Sequence, residues 1–402
     1  MLERVYLDNS ATTPVDPAVL EAMLPYLTNK FGNASSIHHF GQEARAGVDR
    51  ARHQVAALIN ARPNEIVFTS GGTESNNLAV RGLVHARLAA LGGPVSLAGC
   101  HIITSQIEHP AVRNVCEALE KKGCTVTYLP VYDDGVVRIE DVKEAVRDET
   151  VVITVMMANN EIGTIQPVAE IGRFIRDLRN DGRKIWFHTD AVQAAGKIPV
   201  DVEEIGCDLL SISAHKINAP KGIGALYVRR GVRLETQNVG GRQERGLRGG
   251  TEPVPMIAAL GTACEIAERR HETASVSVAE LRDRLEAGVL ETVPESSING
   301  SREARLPNIT NISFKGVEGE GLLINLDMQG IAVSTGSACS SGSLEPSPVI
   351  RALGHGDEIA RSAIRFSLGP QNTAAEIDRV LEVLPRSVEN LRRLAQNTAS
   401  AK

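Results

Sequence analysis

The sequence predicts an α/β protein that is built on a mainly parallel sheet and carries a second, smaller α+β domain. From Glu65 to about Ala214, short apolar runs typical of buried strands alternate with segments whose apolar residues recur at helical spacing. After GGRQERGLRGGTEPV (240–254) the alternation stops, and a long helical stretch leads into two further strands and a final helix. Such alternation favours a parallel sheet that is covered by helices on both faces.

Seven strands and four helices are predicted for the larger domain. The strands lie at EIVFTS (65–70), HIITS (101–105), TVTYLP (125–130), VVITVMMA (151–158), KIWFHTDA (184–191), DLLSISA (208–214) and GIGALYV (222–228). The helices lie at 71–91, 112–123, 139–147 and 168–180.

The smaller domain is predicted from a helix at about 256–293, strands at NITNISF (308–314) and AIRFSLG (363–369), and a final helix at 373–396. We therefore expect a large domain at 14–265. The small domain would combine 1–13 with 266–402 and would carry a mobile loop at about 330–345.

Charge and composition argue against several classes of protein. The 402 residues carry a net charge of −6, from 43 basic and 49 acidic side chains, which gives no indication of a general nucleic-acid or membrane-surface binder. No apolar run approaches the roughly 20 residues that cross a bilayer. Because YLDNSATTP (6–14) follows Met1 so closely, we expect no signal peptide and a cytoplasmic protein.

Lys216 lies in DLLSISAHKINAPKGIGALYV (208–228), at the edge of a loop between two apolar strands. Most lysines are solvated and flexible. A lysine at the end of a buried strand is partly desolvated, which lowers its pKa and makes it a usable amine nucleophile or base.

Other polar residues follow the ends of neighbouring strands. In SGGTES (70–75) the glycines allow close approach, and Thr73 begins a helix whose free N–H groups favour a phosphate; a plain turn with an N-cap fits the same letters. Asp190 ends a strand at the edge where open α/β sheets bind ligands, although it also suits a helix cap. Asn160 and His109 follow two further strands, and a lone histidine is often structural.

The six cysteines show no metal-binding spacing, and we expect no disulfides in a reducing compartment. Five lie beside apolar residues and are predicted to be structural: Cys100, Cys116, Cys124, Cys207 and Cys264. Cys339 differs, because STGSACSSGS (334–343) cannot pack a core and is typical of an exposed, mobile loop. A plain disordered linker fits that segment equally well.

A lysine, a carboxylate and a phosphate cradle at one sheet edge match the chemistry of pyridoxal phosphate. At this point the chain resembles the class V, fold-type I pyridoxal-phosphate enzymes, and within them the cysteine desulfurases of the NifS/IscS kind. The resemblance covers nearly the whole chain, through YLDNSATTPVDP, FTSGGTESNNLA, SQIEHPAV, ANNEIGTIQPV, FHTDAVQAAGK, SAHKINAPKGIGALYVRR, QERGLRGGTEPV, GVEGEGLL, STGSACSSGSLEPS and IRFSLG.

The resemblance implies a role for each site residue. The cofactor would be held by Lys216, Asp190, Gln193, His109 and Asn160 around its ring, by Gly72, Thr73, Ser213 and His215 at its phosphate, and by Thr251 from a neighbouring subunit. Lys216 would also move protons, Asp190 would pair with the ring nitrogen, Gln193 would contact the ring hydroxyl, and His109 would stack on the ring and assist proton transfer. Asn160 and Arg365 would hold the substrate carboxylate; without the resemblance, Arg365 would be interpreted as a solvated charge on a strand edge. The role of Thr251 implies a homodimer.

The implied activity converts L-cysteine to L-alanine and leaves a persulfide on Cys339, whose sulfur passes to an iron-sulfur scaffold or another acceptor protein. No intrinsic metal is expected, although Cys339 is a candidate for a transient iron-sulfur ligand. A cationic neighbour, for which His109 is a candidate, would favour the Cys339 thiolate. Ala214 and Pro348 depart from the commonest family pattern, which concerns loop flexibility rather than chemistry.

Two alternatives remain at this point. One is another enzyme of the same fold, a class V aminotransferase or a selenocysteine lyase. The other is a non-catalytic scaffold or sulfur carrier, against which Lys216, Asp190, His109 and Cys339 together argue. The sequence leaves the sulfur acceptor open.

Overall fold

The computed structural model describes residues 4–90, 97–335 and 346–400. Its strands are β1 (Val5–Tyr6), β2 (Ile66–Thr69), β3 (His101–Ser105), β4 (Thr125–Leu129), β5 (Thr150–Thr154), β6 (Trp186–Asp190), β7 (Leu209–Ser213), β8 (Gly224–Val228), β9 (Ser296–Ile298), β10 (Ile309–Phe314), β11 (Ile331–Ala332) and β12 (Ala363–Ser367). Its α-helices are α1 (Pro17–Leu27), α2 (His39–Leu58), α3 (Gly72–Ala89), α4 (Pro110–Glu120), α5 (Ile139–Ala145), α6 (Val168–Asn180), α7 (Val202–Ile205), α8 (Val254–Thr292), α9 (Gly319–Met328), α10 (Pro348–Ala352), α11 (Asp357–Arg361) and α12 (Ala374–Ser400).

Seven strands form the main sheet in the order β2-β8-β7-β6-β5-β3-β4. Strands β7, β6, β5, β3 and β4 pair in parallel, and β8 runs antiparallel to both of its neighbours. This confirms the predicted mainly parallel, seven-stranded sheet. Because β2 and β7 both oppose β8, β2 shares the direction of the parallel strands, and its carboxyl end lies at the same edge as theirs.

The central strands are apolar on both faces because helices cover both sides of the sheet. Successive residues of a strand point to opposite faces, and accordingly Ile103 and Leu210 enter one hydrophobic core whereas Ile102 and Leu209 enter another. The first core is closed by residues of α2, α6 and the start of α8. The second is closed by α3 and α4.

The predicted strand at 151–158 is too long, because β5 ends at Thr154. Beyond that point the chain keeps bonds to β6, but on the side of β3 it bonds to a side chain instead. The Met156 amide donates to Glu108 Oε1 at 2.8 Å, and the Met157 amide donates to the Asp190 carbonyl at 2.9 Å. The apolar letters VMMA therefore belong to a buried connection rather than to the strand.

A second group of elements packs around its own core. Strands β9, β10 and β12 form an antiparallel sheet, and β1 pairs in parallel with β11. Residues of β1, α9, α12 and the second half of α8 fill the core beside them. Helix α8 thus contributes to two cores, through Leu260 near its start and Leu285 near its end.

The five described cysteines are all buried, free thiols, as the structural interpretation requires. Cys339 lies outside the described residues. Among the helices that the structure describes, none is long and apolar enough to cross a membrane.

A buried ion pair joins helix α2 to the loop before α8. Arg52 of α2 donates from Nη2 to Glu244 Oε1 at 2.7 Å and from Nη1 to Glu244 Oε2 at 2.8 Å. The Phe68 amide of β2 adds a bond to the same carboxylate at 3.0 Å. Glu244 has a left-handed backbone, with φ of 43°, so these contacts help to fix an unfavourable loop conformation.

We expect Arg52→Met to destabilise the protein by about 3–5 kcal/mol, because removing one partner leaves the Glu244 carboxylate buried and unpaired. The free energy of unfolding from urea titration measures this loss. Arg50→Met is the matched control, since Arg50 lies on the same helix and is exposed. Equal stability of the two variants would contradict the assignment.

Candidate active site

A cavity of about 360 Å³ lies at the carboxyl edge of the main sheet. Ten of the twelve site residues predicted from the sequence line it: Gly72, Thr73, His109, Asn160, Asp190, Gln193, Ser213, His215, Lys216 and Arg365. Thr251 is exposed and does not line the cavity, and Cys339 lies outside the described residues. The strand ends therefore converge as the topology requires.

Lys216 ends a single 3-10 turn that follows β7 directly. Its ammonium group donates to two main-chain carbonyls, those of Ser10 and Ala11, the latter at 2.8 Å. The side chain is half-buried. The N-terminal segment thus contacts the amino group of this lysine.

Asp190 is the last residue of β6 and is buried. Its Oδ2 accepts from Asn76 Nδ2 at 2.7 Å, and its Oδ1 accepts from the Val192 amide at 2.9 Å. The second bond is a cap-like contact at the start of the turn that follows β6. The first bond comes from α3 and orients the carboxylate at the floor of the cavity.

His109 caps α4, and its Nδ1 accepts from the Ala111 amide at 3.1 Å. This bond places the proton of the neutral ring on Nε2. Burial lowers the pKa of His109, and the charge of Lys216 adds to that effect while Asp190 opposes it. A neutral imidazole works against the suggestion that His109 is the cation beside Cys339.

Gly71 precedes α3 and Gly72 begins it, so no side chain lies over the helix N-terminus at these two positions. Gly71 has φ of 151°, and a Cβ atom on Gly72 would approach Val192 Cγ2 to 2.9 Å. Ser213 lies beside Gly72, whose added Cβ atom would approach Ser213 Cβ to 3.5 Å, and His215 lines the same cavity. Burial first, and then the charge of Lys216, lowers the pKa of His215 to about 4, so its ring is neutral and can donate to an anion.

Arg365 is only 3% exposed, so the interpretation as a solvated charge on a strand edge is wrong. Its Nη2 donates to Asp8 Oδ1 at 2.7 Å, and its Nη1 donates to the Asn160 carbonyl at 2.9 Å. The Nε atom is buried and has no partner among the described residues. The Nε–H donor is therefore unsatisfied among the described residues.

Sequence reasoning missed four polar residues of this region: Ser10, Asn76, Glu108 and Lys197. Glu108 is buried next to His109 and accepts at Oε1 from Ser105 Oγ at 2.7 Å and from the Met156 amide. Burial raises the pKa of Glu108 to about 8, with Asp190 adding to the effect. Its position one residue before His109, after a buried strand, was the available signal.

The residues present fit pyridoxal phosphate. The glycine-lined helix N-terminus suits a phosphate, Lys216 suits a carbonyl group and Asp190 suits a ring nitrogen. Ser10 Oγ and Asn76 Oδ1, which line the cavity, are buried and have no hydrogen-bond partner among the described residues. Such unsatisfied groups are costly unless a ligand satisfies them.

Comparison with known proteins agrees with this geometry. Residues 5–380 match the family described as Aminotransferase class-V. A cysteine desulfurase from Nostoc sp. is 51% identical over 391 residues, which make up 97% of this chain and 94% of that protein.

Two solved structures share the fold. One, described as a NifS-like protein, has a TM-score of 0.88 and 37% identity and covers 97% of this chain and 100% of its own. The other, SspA in complex with cysteine, has a TM-score of 0.78 and 38% identity and covers 92% of this chain and 100% of its own. The chain therefore belongs to the class-V aminotransferase family, among its pyridoxal-phosphate-dependent cysteine desulfurases.

Proposed function

We propose that this chain acts as a homodimer that removes sulfur from L-cysteine, releases L-alanine and holds the sulfur as a persulfide on Cys339. The observation that carries the proposal is the convergence of Lys216, Asp190 and Arg365 on one cavity at the sheet edge. The solved relative that contains cysteine supports the choice of substrate. The sulfur would then pass to an acceptor protein, for which an iron-sulfur scaffold is our candidate.

The cofactor would be held by groups at both ends of the cavity. Lys216 would hold its carbonyl carbon, Asp190 its ring nitrogen and Gln193 its ring hydroxyl, while Gly72, Thr73, Ser213 and His215 would bind its phosphate. When bound, pyridoxal phosphate supplies an electron sink for charge that develops at the substrate α-carbon. Asn76 keeps the Asp190 carboxylate aimed into the cavity through its 2.7 Å bond.

Lys216 would move the protons of the reaction. Its amine takes the proton from the α-carbon of cysteine and returns a proton to the product. The Ser10 and Ala11 carbonyls, which accept from Nζ, keep this group at the cavity wall. His109, with its proton on Nε2, is a second proton donor within the cavity.

Arg365 and Asn160 would bind the substrate carboxylate. Arg365 is already paired with Asp8, so its position is fixed before the substrate arrives. Its unpartnered Nε supplies one donor, and Asn160, whose carbonyl is bonded to Nη1, lies beside it. A carboxylate held here would satisfy the buried N–H of the guanidinium.

The sulfur step balances with Cys339 as nucleophile. The Cys339 thiolate forms a bond to the cysteine sulfur, and the bond between that sulfur and the substrate β-carbon breaks. The electron pair of the broken bond stays on the carbon, which takes a proton and becomes the methyl group of alanine. The sulfur leaves as Cys339–S–SH, and no external oxidant is needed.

We further propose the division into a large domain at 14–265 and a small domain that combines 1–13 with 266–402. The separate core of the second group of elements supports it, as does the pairing of β1 with β11. The exposed position of Thr251, outside its own cavity, supports a role in the site of a second subunit.

Two variants separate cofactor attachment from sulfur removal. Lys216→Ala should lose the cofactor that borohydride fixes to the chain and lower alanine formation by at least about 1,000-fold, because one group both tethers and moves protons. Cys339→Ser should keep the yellow cofactor but form no alanine from cysteine. Cofactor content is measured by absorbance, and alanine by amino-acid analysis.

Lys221→Ala serves as the control, since Lys221 is exposed in the following loop and should behave like the unchanged enzyme. Undiminished turnover by Cys339→Ser would exclude the persulfide. Conversion of an added keto acid into its amino acid, with loss of cysteine but no release of sulfur, would indicate an aminotransferase instead.

Thr251→Val should weaken cofactor binding at least about tenfold, because a hydrogen bond to a charged group contributes about 1.5–3 kcal/mol. Mixed dimers of one Thr251→Val subunit and one Lys216→Ala subunit test whether Thr251 acts on its own site or on that of its partner. In such a dimer the intact Thr251 completes the site that retains Lys216, so that site should bind cofactor with normal affinity. Weak binding in the mixed dimer would mean that Thr251 acts within its own subunit.

Glu108→Gln should change the pH dependence of stability. The pKa of Glu108 is about 8 in the folded protein and about 4.3 in an unfolded chain. Between these values only the unfolded state releases the proton, so the unchanged protein loses stability as pH rises and levels off above pH 8. The variant should therefore gain stability relative to the unchanged holoenzyme from pH 5 to pH 8 in urea titrations, whereas the exposed Glu389→Gln control should not.

A further inference from the structure

Lys197 is a part-buried lysine for which the proposed reaction has no role. It lies in the turn that follows β6, four residues after Gln193. Its Nζ donates to Gln193 Oε1 at 2.9 Å and to the Gln193 carbonyl at 3.0 Å. Among the described residues these are its hydrogen-bond partners, and no carboxylate pairs with it.

The bond to Oε1 determines which end of the Gln193 amide faces the cavity. In its protonated form Lys197 donates and cannot accept, so it selects the amide oxygen and leaves the NH₂ group on the other side. That group, Nε2, donates to the Ser10 carbonyl at 3.0 Å. The same carbonyl accepts from Lys216 Nζ, so the donor end of Gln193 lies next to the reactive lysine.

The surroundings of Lys197 disfavour its charged form. Burial first, and then the charges of Lys216 and Arg365, lowers the pKa of Lys197 to about 7. A methionine or leucine would fill the same space without that cost. A polar group kept in such a place indicates that its hydrogen bonds have a function.

We propose that Lys197 is a positioning residue that locks the Gln193 carboxamide with its N–H directed at the ring oxygen of the bound cofactor. This rests on the proposed contact between Gln193 and that oxygen. A flipped amide would present its own oxygen to an oxygen that carries negative charge, which is repulsive. Lys197 therefore excludes the wrong rotamer without touching the cofactor.

A double-mutant cycle on the holoenzyme tests the proposal without requiring turnover. The readout is the pH midpoint at which the visible absorbance of the bound cofactor changes. Lys197→Met keeps the chain length but removes the donor, and should move the midpoint upward by about half a pH unit or more, because a ring oxygen without a donor holds a neighbouring proton more tightly. Lys197→Arg keeps a donor, so its midpoint should lie close to that of the unchanged enzyme.

Gln193→Ala should cause a similar shift alone, and adding Lys197→Met to it should cause no further change, because residues that act through one another are not additive. Independent shifts that add would mean that Lys197 acts through its charge, and an unchanged midpoint in Lys197→Met would exclude any effect; both overturn the proposal.

If Lys197→Met binds no cofactor, Lys197→Gln replaces it as an uncharged donor, and a shift as large as that of Gln193→Ala would contradict the proposal. If the enzyme without substitutions makes no alanine from cysteine, the proposed function is refuted. The inference about Lys197 is tested separately, because the cycle measures only the absorbance of the bound cofactor.

Discussion

The shared direction of β2, β3, β5, β6 and β7 is the constraint on which the site depends. Parallel strands must be covered on both faces, and the crossover helices that cover them return the chain to the same starting edge. The carboxyl ends of these five strands therefore face one crevice, whereas that of the antiparallel β8 lies at the opposite edge. Asp190 and Lys216 are brought together by this rule of direction, and the polar groups needed for chemistry are placed where the backbone has left the sheet.

Residues near the two ends of the chain also contribute to the cavity at the sheet edge. The carbonyls of Ser10 and Ala11 accept from Lys216, and Asp8 pairs with Arg365 of β12. These contacts join groups more than 200 residues apart in sequence. Lys216 and the proposed substrate anchor, Arg365, are thus both held by one short N-terminal segment, through two main-chain carbonyls and the Asp8 carboxylate.

The sequence was sufficient to predict the sheet and most strand bounds, because apolar period and strand ends are local signals. Strand ends also indicated Lys216, Asp190 and His109, whereas the family resemblance was needed for Gln193, Ser213, His215 and Arg365, which line the same cavity. Glu108, Asn76 and Lys197 escaped notice because their importance depends on contacts across the fold: a glutamate is ordinary until burial raises its pKa. The strand at 151–158 was overextended because apolar letters do not reveal that Met156 bonds to Glu108. The burial of Arg365 likewise depends on its ion pair with Asp8, which no local pattern shows.

Helix α8 has a consequence for how the protein unfolds. Its 39 residues extend about 58 Å at 1.5 Å per residue, and they supply Leu260 to one core and Leu285 to another. Neither core can lose its share of the helix without weakening the backbone bonds on which the other relies. The helix therefore couples the two cores in unfolding, so that a packing defect at one end also lowers the stability of the core at the other end.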